Sequence, residues 1–130
     1  MLILSGEHFI AFESVTQLIE RAKESLVLVD PYADDKSLVF LSHKGEGIKV
    51  TIYKSKNAKL KVEEVEAFSN QYGEISVKEC NDFHDRYLII DSDEVYDLGT
   101  SLNRIGGKGF TIKKCEINEV RETIIKLFQL

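Results

Sequence analysis

Four apolar residues in a row, Tyr87-Leu88-Ile89-Ile90, stand between the polar groups His84-Asp85-Arg86 and Asp91-Ser92-Asp93-Glu94. A run so short and so continuous reads as a strand buried on both faces. A second run, Leu26-Val27-Leu28-Val29-Asp30, has the same character and is stopped by Pro31, the only proline of the chain. Strands of this kind sit in the middle of a sheet covered by helices, so the chain is committed to a layered α/β arrangement.

The remaining periodicities supply the layers. Phe12, Val15, Leu18, Ile19 and Ala22 are spaced for one face of a helix, as are Val62, Val65, Phe68 and Tyr72, and Ile117, Val120, Ile124, Leu127 and Phe128. The last pattern predicts a helix running to the final residue. Asp34 or Asp35 can cap a short helix reaching about Leu41, and His43 falls in its last turn, where a cation suits the dipole. Ile48, Val50 and Ile52 alternate with polar residues as a strand does, and Ile75-Ser76-Val77 and Phe110-Thr111-Ile112 are shorter strands. Leu2-Ile3-Leu4 is a weakly signalled first strand. The order β-α-β-α-β-α-β-β-β-β-α predicts an α/β sandwich with a mixed central sheet flanked by helices, in one domain spanning residues 1–130.

Asp91-Ser92-Asp93-Glu94 is turn chemistry, and Val95-Tyr96-Asp97-Leu98 can return antiparallel as a hairpin. With Ser92-Asp93 as a two-residue loop, Asp91 faces Glu94, Arg86 faces Gly99 and His84 faces Ser101. Gly99-Thr100-Ser101-Leu102-Asn103 is then folded back beside His84 and Arg86. Asp91 is roughly 23 Å from His84 at the rise of a strand and cannot join that group; it holds the hairpin. Imidazole can attack phosphorus or carry a proton near neutral pH, and guanidinium forks onto phosphate oxygens. Hydroxyls and a carboxamide add donors, so the group suits a phosphodiester.

These residues resemble the HxKxxxxD…GSxN signature of the phospholipase D superfamily. His84, Arg86 and Asp91 fall at its three spacings, and Ser101 and Asn103 match its trailing Ser-x-Asn. The resemblance implies the phospholipase D-like fold and phosphodiester hydrolysis with neither metal nor cofactor. His84 would form the phosphohistidine, assisted by Arg86 and Asn103, while Thr100, Ser101, Arg104 and Lys108 bind the substrate and Gly99 and Asp91 are structural. Superfamily enzymes use two copies of the motif; a chain with one copy implies a symmetric homodimer. Two departures stand out: arginine replaces the signature lysine, and the spacing from Asp91 to Asn103 is two residues longer. The chain is also similar to the phospholipase D-like C-terminal domains of MIT-domain proteins and to bacterial modules fused to phage-type DNA-binding domains. The shared marks are Asp30-Pro31-Tyr32, His84-Asp85-Arg86 and a glycine-lysine turn near Lys108. Two functions follow as expectations: a degenerate phosphodiesterase of nuclease or phospholipase type, or an inactive module binding a lipid headgroup, nucleic acid or a protein partner.

A net charge of −5 argues against a general polyanion binder, so phosphate recognition has to come from a local basic pocket. Ile105-Gly106-Gly107-Lys108-Gly109, flanked by Arg104, can present backbone N–H groups as an anion nest. Tyr32, just past a strand's carboxyl end, is placed as a pocket wall or as packing. Asp30, Asp34 and Asp35 are read as turn and cap residues rather than metal ligands, and no metal is expected. Two cysteines without metal-ligand spacing point to free thiols in a cytoplasmic protein. No apolar run reaches membrane-spanning length.

Overall fold

In the computed structural model, which describes residues 2–81, 84–105, 107 and 109–128 (the side chains of residues 110, 124, 127 and 128 excepted), the two apolar runs are neighbouring strands at the centre of a mixed sheet. The strands are β1 (Leu2–Ile3), β2 (Ser25–Val29), β3 (Lys49–Lys54), β4 (Ile75–Glu79), β5 (Tyr87–Ile90), β6 (Glu94–Asp97), β7 (Phe110–Thr111) and β8 (Lys113–Cys115). The helices are α1 (His8–Glu20), α2 (Asp35–Leu41), α3 (Val62–Tyr72) and α4 (Ile117–Phe128). Six strands form the main sheet in the order β4-β3-β2-β5-β6-β8, parallel on the β2-β3-β4 side and antiparallel from β5 onward. β1 and β7 pair separately.

Alternate residues of the central strands feed two cores. Leu26, Leu28, Val50, Ile52, Leu88 and Ile90 face Ala11, Val15 and Ile19 of α1, Leu38 and Leu41 of α2, and Phe68 of α3. Val27, Val29, Tyr53, Ile89 and Val95 form the opposite core, with Val120 of α4 packed against it. Both faces are covered, so β2 and β5 carry no polar residue between Leu26 and Val29 or between Tyr87 and Ile90.

Several expectations shift in detail. The strand anticipated at Phe110–Ile112 divides: residues 110–111 pair with β1, Ile112 is buried, and Lys113–Cys115 joins the main sheet's edge. His43 lies beyond the end of α2 and meets Phe12 edge-on at 5.3 Å, so ring packing rather than the helix dipole explains it. Glu64 accepts from the Lys61 N–H at 2.9 Å and so caps α3. Val62 and Tyr72, expected on the buried side of α3, are exposed, because a helix this close to the edge buries only its centre at Phe68. The expected packing of Ile124, Leu127 and Phe128 lies outside the described residues. Cys80 and Cys115 are buried and are not in a disulfide. Among the described residues, no helix is long and apolar enough to cross a membrane.

The hairpin is one residue out of the expected register. Asp91 and Ser92 both take left-handed backbone (φ 54° and 62°) and form the corner, with the Asp93 N–H donating to the Ile90 carbonyl at 3.2 Å. Ile90 therefore faces Glu94 and Tyr87 faces Asp97, and the Leu98 N–H donates to the Arg86 carbonyl at 2.9 Å. The cause is the Asp91 carboxylate, which accepts from the N–H groups of Lys23, Glu24 and Ser25 at 2.7–3.2 Å and pulls the corner onto the entry to β2. The Glu24 and Ser25 N–H groups hold this carboxyl below the usual carboxylate range. A depressed folded value stabilises the fold above the ordinary Asp value, and that stability is lost as pH falls through the depressed one. The stability difference between the native chain and Asp91→Asn is therefore expected to be constant near neutrality and to close only in strong acid. Urea unfolding of both proteins against pH measures it.

Candidate functional site

Because β5 runs antiparallel to β2 and β6 antiparallel to β5, three chain ends meet at one edge of the sheet. The carboxyl end of β2 leads into Asp30-Pro31-Tyr32, Arg86 precedes β5, and the carboxyl end of β6 leads into Leu98-Gly99. Gly99 has φ +70°, and its N–H donates to the Asp97 carboxylate at 2.9 Å. This left-handed step, which glycine takes without strain, turns the chain so that Thr100 and Ser101 lie over the strand ends. A single 3-10 turn, Leu102–Arg104, follows.

The hub under this edge is Asp30, whose role in the site the sequence did not disclose. It is fully buried. One carboxylate oxygen accepts from the Ser101 hydroxyl at 2.8 Å and from the Tyr32 N–H at 3.0 Å, and the other from the Leu102 N–H at 3.0 Å. It ties the segment after β2 to the segment after β6. Burial pushes its carboxyl above the ordinary Asp value, opposed by the donors Leu102, Ser101 and Tyr32 and by the charge of Arg86. The signal available in the sequence was a lone acid closing an apolar strand, Leu26–Asp30, where such a residue must be paired.

Arg86 is held from three sides. Its Nε lies 3.4 Å from Ser101 Oγ, its Nη1 donates to the His84 carbonyl at 2.9 Å, and its guanidinium carbon lies 5.2 Å from the centre of the Tyr32 ring. Ser101 gives its proton to Asp30 and presents a lone pair to Arg86, so it acts on the guanidinium as an acceptor. Two of the five guanidinium N–H groups are thus engaged, and three remain for a ligand. Arg86 lines a cavity of about 720 Å³ with Tyr32, Gly99, Thr100, Ser101, Arg104 and Gly107.

The expected site residues are therefore only partly gathered. Arg86, Gly99, Thr100, Ser101 and Arg104 share this cavity, and Tyr32 is one of its walls. His84 is exposed and is not among the lining residues; no hydrogen bond to its imidazole is made among the described residues. The Asn103 amide donates to the Tyr32 carbonyl at 3.1 Å and to Asp34 at 3.2 Å, while its Oδ1 is buried and has no hydrogen-bond partner among the described residues. Asp91 lies at the other end of the sheet, beside Ser25. Lys108 and Gly106 lie outside the described residues; Gly107 lines the cavity. Asp34 caps α2 through the Lys36 N–H at 3.0 Å. Among the described residues, no group of three or more His, Cys, Asp or Glu is placed to hold a metal ion. Tyr87, below the site, has its hydroxyl pushed up to about 12 by burial and by Asp85, so it stays protonated.

No family model matches the sequence, and no curated protein matches it. Solved structures do match the fold. NucT from Helicobacter pylori superposes with a TM-score of 0.66 at 16% identity, over 99% of this chain and 92% of that one. TrmBL2, an archaeal chromatin protein with a novel mode of DNA binding, superposes with a TM-score of 0.61 at 16% identity. That match takes in 99% of this chain and 48% of the TrmBL2 chain, so this chain spans about half its length. With its mixed six-stranded sheet, its helices and these structural relatives, the chain has the phospholipase D-like fold.

Proposed function

We propose that the cavity around Arg86 binds a phosphate or phosphodiester group and that the domain acts as a binding module. The observation that carries this reading is the pairing of Arg86 and Arg104 in one cavity with Gly99, Thr100 and Gly107. Two guanidinium groups there offset the overall charge of −5, the local basic pocket that such a protein needs. Arg86 is oriented before any ligand arrives, which lowers the ordering cost of binding. Hydrolysis is less well supported, because a phosphohistidine mechanism needs His84 and Asn103 aimed at the same phosphorus. The Asn103 amide is instead spent on Tyr32 and Asp34. The fold shared with TrmBL2, a DNA-binding chromatin protein, is compatible with a phosphodiester ligand.

Titration with inorganic phosphate, followed by amide NMR, tests the reading. Shifts are expected at Arg86, Gly99–Arg104 and Gly107, and Arg104→Ala should weaken binding by about threefold to tenfold. Shifts confined to other parts of the sheet would refute it. Bis(p-nitrophenyl) phosphate in EDTA addresses the enzymatic alternative. Turnover that vanishes in His84→Ala, and with disruption of a homodimer, would replace the binding module with a metal-independent phosphodiesterase.

A further inference from the structure

A second, smaller cavity of about 200 Å³ is lined by Tyr32, Asp34, Asn57, Lys59, Asn103 and Arg104 among others. Tyr32 and Arg104 line both. Tyr32 is 56% exposed, while its backbone N–H and carbonyl are held by Asp30 and Asn103. Tyr32 thus lines both cavities from an anchored backbone. Neither the Asn57 amide nor the Lys59 ammonium makes a hydrogen bond or ion pair among the described residues.

A phosphate at Arg86 and Arg104 would direct its substituent past Tyr32 into this space. Lys59 and Arg104 repel the ammonium of a choline or ethanolamine headgroup, and Asp34 already accepts from the Lys36 N–H and the Asn103 amide. Acyl chains find little apolar wall, since Ala58 is the one aliphatic lining residue among the described residues. A nucleobase meets the chemistry: its π face suits the tyrosine ring, and its polar edge suits a free carboxamide. A base lying on Tyr32 has to be out of a duplex stack. Resting on the phosphate-binding reading, we propose that the smaller cavity is a base subsite built from Tyr32 and Asn57, and that the ligand is single-stranded nucleic acid.

Fluorescence anisotropy with a labelled oligothymidylate, run beside NMR titration with inorganic phosphate, tests this. Tyr32→Leu should weaken oligonucleotide binding about tenfold and Tyr32→Phe should restore it, since stacking needs a ring and not the hydroxyl. Asn57→Ala should weaken the oligonucleotide several-fold and leave inorganic phosphate unchanged. Equal losses for both ligands, or equal affinity for a duplex, would overturn the base subsite while leaving phosphate binding intact. So would phosphatidic acid vesicles that compete with the oligonucleotide and lose affinity in Asn57→Ala. Failure of the native protein to bind inorganic phosphate at all would overturn both readings together.

Discussion

Asp30→Ala is expected to lower the stability of the domain by about 3 kcal/mol, which corresponds to leaving two or more buried donors without acceptors. The change strands the Leu102 N–H, the Ser101 hydroxyl and the Tyr32 N–H. It also opens a void in a position with no solvent access. Ser101→Ala removes one of these donors along with its bond and should cost only about 1 kcal/mol. Urea unfolding of the three proteins, with matched m-values, gives the comparison. The pH dependence has a definite sign. The folded carboxyl holds its proton to higher pH than an unfolded Asp does, so its contribution is largest below the ordinary Asp value. It is lost as pH rises through the raised folded value. The margin of the native protein over Asp30→Ala should therefore shrink with rising pH; a margin that grows would contradict the assignment.

The second large effect is expected at Arg86. Arg86→Ala should weaken phosphate binding by more than tenfold, and Arg86→Lys, although it keeps the charge, should weaken it by about 1–3 kcal/mol. Lysine has no Nε–H for Ser101 to accept while a second nitrogen reaches the His84 carbonyl, and no plane to lay on Tyr32. A flexible ammonium would replace a fixed fork. Calorimetric titration with phosphate measures the difference. Binding that holds or improves in Arg86→Lys would mean that the arginine adds nothing beyond charge, and the three-sided clamp described above would lose its functional meaning.

The layered fold was legible because both central strands are buried on both faces, which leaves Leu26–Val29 and Tyr87–Ile90 without a polar residue. The hairpin register was not. Local turn chemistry makes Ser92-Asp93 a good corner, but Asp91 is bonded to Lys23, Glu24 and Ser25, more than sixty residues away in the chain. That tertiary contact moved the corner by one residue and set Leu98, rather than Gly99, against Arg86. The role of Asp30 is hidden in the same way: beside a proline it reads as a turn residue, and its partners Ser101 and Leu102 lie some seventy positions later.

The sequence by itself determined which residue types gather at the sheet edge: Arg86, Thr100, Ser101 and Arg104 lie at the spacings that bring them beside the end of β5. Only the tertiary structure decided which way each side chain is committed. Ser101 donates down to Asp30 rather than out to a ligand, and the Asn103 amide is committed to Tyr32 and Asp34. The reason is physical. Spacing fixes where a Cα lies along a strand or turn, but a polar side chain near the core takes the orientation that satisfies its buried partners. Those partners are brought in by strand pairing between distant parts of the chain.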